Sequence, residues 1–204
     1  QFVLDEFSLG DIKKSDNSWK NKYGYQLGIK YYNAFRVSDL LLQLEYNHVR
    51  PYVYSHSAPL TNYGHNNQSI GHQWGGNFKE LIAIARYHKG RYFADVKVTM
   101  GTRGLDFDAS ENNFNYGGNI YKDYDENRPF DTDVKVGQGN KTAVFIADFQ
   151  WGYLVNPATN LKIFGSYIYR SFDPAKNTVS TFSESTNWLT LGLRADVFNW
   201  YFDY

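Results

Sequence analysis

The residues best equipped for chemistry crowd into one stretch. Between Tyr52 and Asn77 stand His56, His65 and His72, the amides of Asn62, Asn66, Asn67, Gln68 and Gln73, and the rings of Tyr54, Tyr63 and Trp74. Sugar recognition asks for this mixture, because hydroxyls need paired donors and acceptors while the C–H face of a sugar stacks on an aromatic ring. Tyr63, His65, Asn67, Gln68, His72 and Trp74 are therefore the candidate polysaccharide-binding residues. A plainer role competes with this one. Gly64, Gly71, Gly75 and Gly76 suit a folded loop whose polar side chains satisfy its own backbone. The residues alone leave the two readings open.

Other chemistries find weaker support. Imidazole is a common zinc or copper ligand, and His56, His65 and His72 share one segment, but their spacing matches no established ligand pattern and the chain has no Cys. No metal site is expected. A hydrolase could be drawn from Ser69 with His65 or His72, or from Asp106 and Asp108 with His48, yet polar loops routinely offer such combinations. No catalytic residue is assigned, and no cofactor. A second stretch, Asn115-Tyr116-Gly117-Gly118-Asn119-Ile120-Tyr121, again mixes aromatics with Gly and suits either a self-packed loop or a glycan surface. Asp123, Asp125, Glu126, Asp131 and Asp133 are hard oxygen donors without the spacing of a calcium loop, so solvated loop charge accounts for them.

Composition narrows the class of protein. Mean hydropathy is −0.57, and no run approaches the roughly 18 apolar residues of a membrane helix. Aromatic residues nevertheless make up 19% of the chain, with 18 Tyr and 15 Phe. Tyr and Trp pair an apolar body with a polar tip and settle at membrane boundaries, where they form the girdles of a barrel. The 21 basic residues balance 21 acidic ones, so no nucleic-acid partner is expected. Gln1 opens no basic-then-apolar leader, so either a signal peptide has been removed or the start lies inside a longer protein.

The elements that must position these residues are written by alternation. From Tyr23 to Phe35 the odd positions are Tyr23, Tyr25, Leu27, Ile29, Tyr31, Asn33 and Phe35, opposed by Gly24, Gln26, Gly28 and Lys30. Leu40, Leu42, Leu44 and Tyr46 continue the pattern, as do Leu81, Ala83, Ala85 and Tyr87, then Tyr92, Ala94, Val96, Val98 and Met100. Phe145, Phe149, Trp151 and Tyr153 follow, then Ile163, Tyr167 and Tyr169, and finally Leu189, Leu191, Leu193, Ala195 and Val197. In each strand the charged parity goes to the lumen, since a charge on the lipid face at mid-bilayer costs about 2–4 kcal/mol.

Those are seven strands, and Phe2 to Leu9 supply an eighth. Short turns at Arg36 to Asp39, Lys89-Gly90 and Asn156 to Thr159 alternate with long polar loops at about 10–21, 53–77, 104–140 and 173–186. If the last strand ends in the periplasm, every short turn is periplasmic and every long loop extracellular, the usual asymmetry of outer-membrane barrels. The expected fold is all-β: one antiparallel transmembrane β-barrel domain over 1–204, in the bacterial outer membrane. A soluble sandwich or lipocalin-like barrel would alternate too. The aromatic content, the one-sided loops and the ending Trp200-Tyr201-Phe202-Asp203-Tyr204 favour the membrane.

The His/Gln segment Asn62 to His72, with Gly75, Asn77 and Glu80 after it, resembles the Wzi-like capsule-assembly family, and more closely its gliding-motility relatives of the RemB type. Arg50-Pro51-Tyr52, Gly137-Gln138-Gly139-Asn140 and the segment Arg194 to Phe202 carry the same resemblance. It implies an outer-membrane barrel of about eighteen strands that binds or displays surface polysaccharide, tied to gliding motility and type IX secretion. Eight strands would then be the C-terminal half of such a barrel, although a free-standing eight-strand barrel is geometrically allowed. The implied partners are outer-membrane lipid, surface polysaccharide and other motility or secretion proteins. The competing expectation is a structural subunit of such a machine, with the His/Gln loop as scaffold.

Overall fold

A computed structural model describes residues 1–195. Asp196, Val197 and the aromatic ending Trp200 to Tyr204 lie outside the described residues. The chain forms an antiparallel meander of β1 (Phe2–Glu6), β2 (Lys22–Tyr32), β3 (Leu40–Val49), β6 (Phe78–Lys89), β7 (Tyr92–Leu105), β8 (Asn140–Asn156), β9 (Leu161–Pro174) and β10 (Glu184–Arg194). A two-stranded hairpin, β4 (Gly64–His65) and β5 (Gln68–Ser69), interrupts it between β3 and β6. The fold is all-β, but the sheet is not closed into a barrel. Among the described residues β1 pairs only with β2, and β10 only with β9. Alternation and turn length specify which consecutive strands pair, whereas closure also needs a matching tilt and stagger of the first and last strands.

Local boundaries shift by a few residues. β1 stops at Glu6, and the first long loop holds a short helix α1 (Leu9–Lys14), N-capped by Ser8, whose Oγ accepts the Asp11 N–H at 3.4 Å. The second loop runs over 50–77, because β3 ends at Val49; the third over 106–139; the fourth only over 175–183. At the other end the connections stay short, with Gly90 adopting φ +60° in the reversal between β6 and β7.

Register aligns the parities of all seven long strands into two continuous faces. On one face Ile29 lies opposite Leu44, Leu44 opposite Ala83, Ala83 opposite Val98, Val98 opposite Ala147 and Ala147 opposite Tyr169. Along the same face Phe149 meets Tyr167, and Tyr167 meets Leu189. This apolar face is bare: Ile29 is 67% exposed and Leu191 77%. The opposite face carries the charges, with Arg86 opposite Asp95 and Lys97 opposite Asp148. Opposite charges placed directly across an antiparallel pair support the register.

The core lies not between layers of sheet but at the long-loop end. Trp19, Tyr52, Val53, Trp74, Phe78, Tyr116, Ile120 and Val134 are among its buried hydrophobics, in loops or at the loop-side start of β6, with Val49 at the loop-side end of β3. Burial alternates sharply there: Phe78, Glu80, Asn140 and Thr142 are buried while Lys79, Lys141 and Ala143 between and beside them are exposed. The loops therefore cover the loop-side end of the charged face, while Arg86 and Lys97 farther along it stay exposed, and they leave the apolar face open. Asn77 knots this layer, its Nδ2 donating to the carbonyls of Gly104, Tyr116 and Gln138 at 3.0–3.1 Å and its Oδ1 accepting the Gly137 N–H at 2.7 Å. Position 104 must be Gly, because a Cβ there would meet Asn77 Nδ2 at 2.1 Å. A second cluster braces α1's loop: Lys22 Nζ lies 3.0 Å from Glu6 and 3.6 Å from the Tyr124 ring centroid, and Arg128 stacks 3.7 Å over Trp19. Desolvated cation–π contacts of this kind are worth about 2 kcal/mol.

Candidate functional site

The segment from Tyr54 to Asn77 is shaped by its own turns. Asn66 and Asn67 both adopt positive φ, 48° and 58°, between β4 and β5, the geometry a two-residue hairpin loop requires and one Asn tolerates. Past this hairpin, the Gly75 N–H donates to the His72 carbonyl at 2.8 Å in a reversal that gives Gly75 φ +71°. The reversal brings Trp74 and Gln73 beside the hairpin. Together with the end of β7 and the 118–121 stretch they line a cleft of about 650 Å³.

Three of the six sequence candidates, Asn67, Gln68 and Trp74, line this cleft. The other three do not. His65 sits opposite Gln68 in the hairpin and is exposed. Tyr63 stacks on Tyr54 with centroids 5.7 Å apart and 27° between planes. His72 turns toward the charged face of the sheet: its Nε2 lies 2.7 Å from Glu80 Oε1, its ring stacks on Phe78 at 4.3 Å, and its Nδ1 accepts the Trp74 N–H at 3.1 Å. Because Nδ1 accepts, the ring proton sits on Nε2 and is donated to Glu80. Glu80 also accepts from Asn47 at 2.8 Å; Asn47 donates to Glu45 at 3.0 Å, and Gln26 donates to Glu45 at 2.7 Å. A polar chain thus runs across β2, β3 and β6 and ends on His72.

Trp74 serves the core more than a ligand. It is only 7% exposed and packs edge-on against Phe78 at 5.5 Å. The accessible ring of the cleft is Tyr121, 38% exposed. Amides come from Asn67, Gln68, Gln73 and Asn119, so the 115–121 stretch joins the His/Gln segment at one site.

Arg103, near the end of β7, was not singled out by the sequence. It lies on the charged parity of its strand, opposite Phe78 and Thr142, and that parity beside a long loop is the signal that marks it. Its Nη2 donates to the Trp74 carbonyl at 3.2 Å and its guanidinium stands 5.6 Å from the Trp74 ring. Asp106, the cleft's acid, is occupied: Lys122 lies 2.7 Å from its Oδ2, and its Oδ1 accepts the Tyr116 N–H at 2.8 Å.

The alternative chemistries do not assemble. Ser69 Oγ is buried with no hydrogen-bond partner, neither His65 nor His72. His48 stacks on Tyr25 at 4.9 Å, apart from Asp106 and from Asp108, whose carboxylate takes Ser180. Among the described residues no group of three or more His, Asp or Glu is arranged to hold a metal ion. Asp125 and Asp131 pair with Arg128 at 3.3 and 2.9 Å, and His56 approaches Asp5 and Glu6 at 4.0 and 3.7 Å. No protein-family model, no curated protein and no solved structure matches the chain.

Proposed function

We propose that this chain is part of an outer-membrane β-barrel whose loop end binds surface polysaccharide, as its resemblance to the Wzi-like and RemB-like proteins implies. The observation that carries the reading is the bare apolar face. An unbroken field of Leu, Ile, Val, Phe and Tyr crosses seven strands while the polar partners of those residues carry charge, and contiguous apolar surface of this extent marks an interface with lipid or protein. Burying each Leu or Ile there is worth about 1.5–3 kcal/mol. No helix of the described residues is long and apolar enough to cross a membrane; the strands would do so, with backbone groups satisfied by their neighbours.

Support for a glycan ligand comes from the cleft. Four amide side chains, one accessible Tyr ring and a wide opening suit sugar hydroxyls and a C–H face better than an apolar metabolite. The mechanism is static: strands fix the loops and the loops hold the sugar. A structural-subunit reading draws on exposed apolar loop residues, chiefly Leu60 and Val179.

Asn67→Ala with Gln68→Ala separates the two readings. In the full chain, reconstituted in lipid, the glycan reading expects loss of binding to surface polysaccharide with heat-modifiable gel mobility unchanged. Unaltered polysaccharide binding, together with loss of assembly on Leu60→Asp, would favour the subunit.

A further inference from the structure

Arg103 lines the cleft and feels the charge of buried Glu80, but makes no salt bridge with it. Among the described residues no carboxylate lies within 4.0 Å of its guanidinium, its Nε is buried with no hydrogen-bond partner, and its Nη2 donates to a carbonyl, that of Trp74. The cleft's acid, Asp106, is neutralised by Lys122. A second donor of the same cleft, Ser69 Oγ, is also buried without a partner. Buried polar groups are nearly always satisfied, so two unsatisfied donors on residues that line one cleft point to acceptors the chain itself does not supply there.

We infer that the cleft is a subsite for an acidic sugar, a uronate-type unit whose carboxylate is taken by Arg103 while Gln68, Asn67 and Asn119 meet its hydroxyls and Tyr121 its C–H face. This rests on the glycan reading above and adds the charge of the ligand to it. Guanidinium is the group of choice for a carboxylate, because its planar fork offers parallel N–H donors that an ammonium cannot. The Trp74 ring behind it and the Trp74 carbonyl hold the fork in one orientation, so little rotamer freedom remains to be lost on binding.

The test uses the full chain in lipid or detergent and a panel of tetrasaccharides of galacturonate, glucuronate and mannuronate, each against its neutral methyl ester. At least one acid is expected to bind about tenfold more tightly than its ester, the difference falling with salt and disappearing in Arg103→Gln. Arg103→Lys should keep part of it. Equal affinity for every acid and its ester overturns the inference and leaves the glycan reading standing, with Arg103 a brace for Trp74. Binding of neither acids, esters nor neutral glucan tetrasaccharides overturns both. Should Arg103→Gln fail to fold, the acid-against-ester comparison on the unaltered protein still decides.

Discussion

His72 and Glu80 are joined at 2.7 Å across the boundary between a loop and the sheet. Glu80 is 2% exposed, its Oε2 has no hydrogen-bond partner, and His72 is fixed at its other nitrogen by the Trp74 N–H. The pair therefore staples the cleft-forming segment onto the charged face of β6, and it does so at the point where Trp74 enters the core. His72→Ala removes Glu80's second donor and leaves a buried carboxylate oxygen with Asn47 alone. A loss of about 1–3 kcal/mol is expected, measured by chemical or thermal unfolding, with faster hydrogen exchange over 70–77 than over β7 and β8.

The third and fourth long loops are latched by one carboxylate. Asp108 accepts from the Ser180 hydroxyl, from the Ser180 N–H at 3.1 Å and from the Val179 N–H at 2.7 Å. The Ser180 hydroxyl above all, with these amides, holds the carboxyl below its ordinary value of 3.8. A depressed carboxylate contributes stability that is complete above the unfolded value and is lost as pH falls through the folded one. Protection of 178–181 against hydrogen exchange should persist to about pH 4 and fall below it. Ser180→Ala should weaken the latch at neutral pH and flatten that dependence; unchanged protection at about pH 2.5 contradicts it.

Tyr52 is fully buried at the centre of the loop layer, its hydroxyl donating to the Asn115 carbonyl at 2.8 Å. Burial pushes its phenol well above the ordinary value of 10.0. Because the raised value belongs to the folded state, the contribution to stability is complete below 10 and is lost as pH rises through the folded value. Spectrophotometric titration should leave one class of Tyr unionised until the protein unfolds in alkali. Tyr52→Phe should abolish that class and cost about 0.5–1.5 kcal/mol.

Much of the fold is legible in the sequence, for a definite reason. Alternation is a local property, so Leu27-Ile29-Tyr31 against Gly28-Lys30 announces a strand and its two faces without knowledge of its neighbours. α1 was missed, although Ser8 with Asp11 three positions on is a cap signal, because the strand reading of Phe2 to Leu9 and the polarity of 10–21 cover the same residues. The open sheet was not legible, because closure depends on strands at opposite ends of the chain. Nor was the use of Trp74 and His72. Residue type recommends both for sugar contact, but the fold of the loops decides their exposure, and that fold turns on Asn77, Gly104 and Gly75 at positions far apart in the chain. Arg103 was hidden by the same logic: only the register beside Phe78 and the return of Trp74 across it make its place in the cleft visible.

The orientation of the sheet in a bilayer is the central claim, and a chain with no Cys offers a direct way to measure it. Single Cys substitutions at Ile29, Leu44, Val98, Ala147 and Leu191, and at their neighbours Lys30, Glu45, Lys97, Asp148 and Gly192, can carry nitroxide labels in the full chain reconstituted in vesicles. Collision with oxygen, which concentrates in the bilayer, and with a water-soluble nickel complex would be read at each site. Labels of the first set should collide with oxygen and be shielded from nickel, and labels of the second set should do the reverse, switching at every step along each strand. Equal access of nickel to both sets in membrane-bound protein would contradict the account.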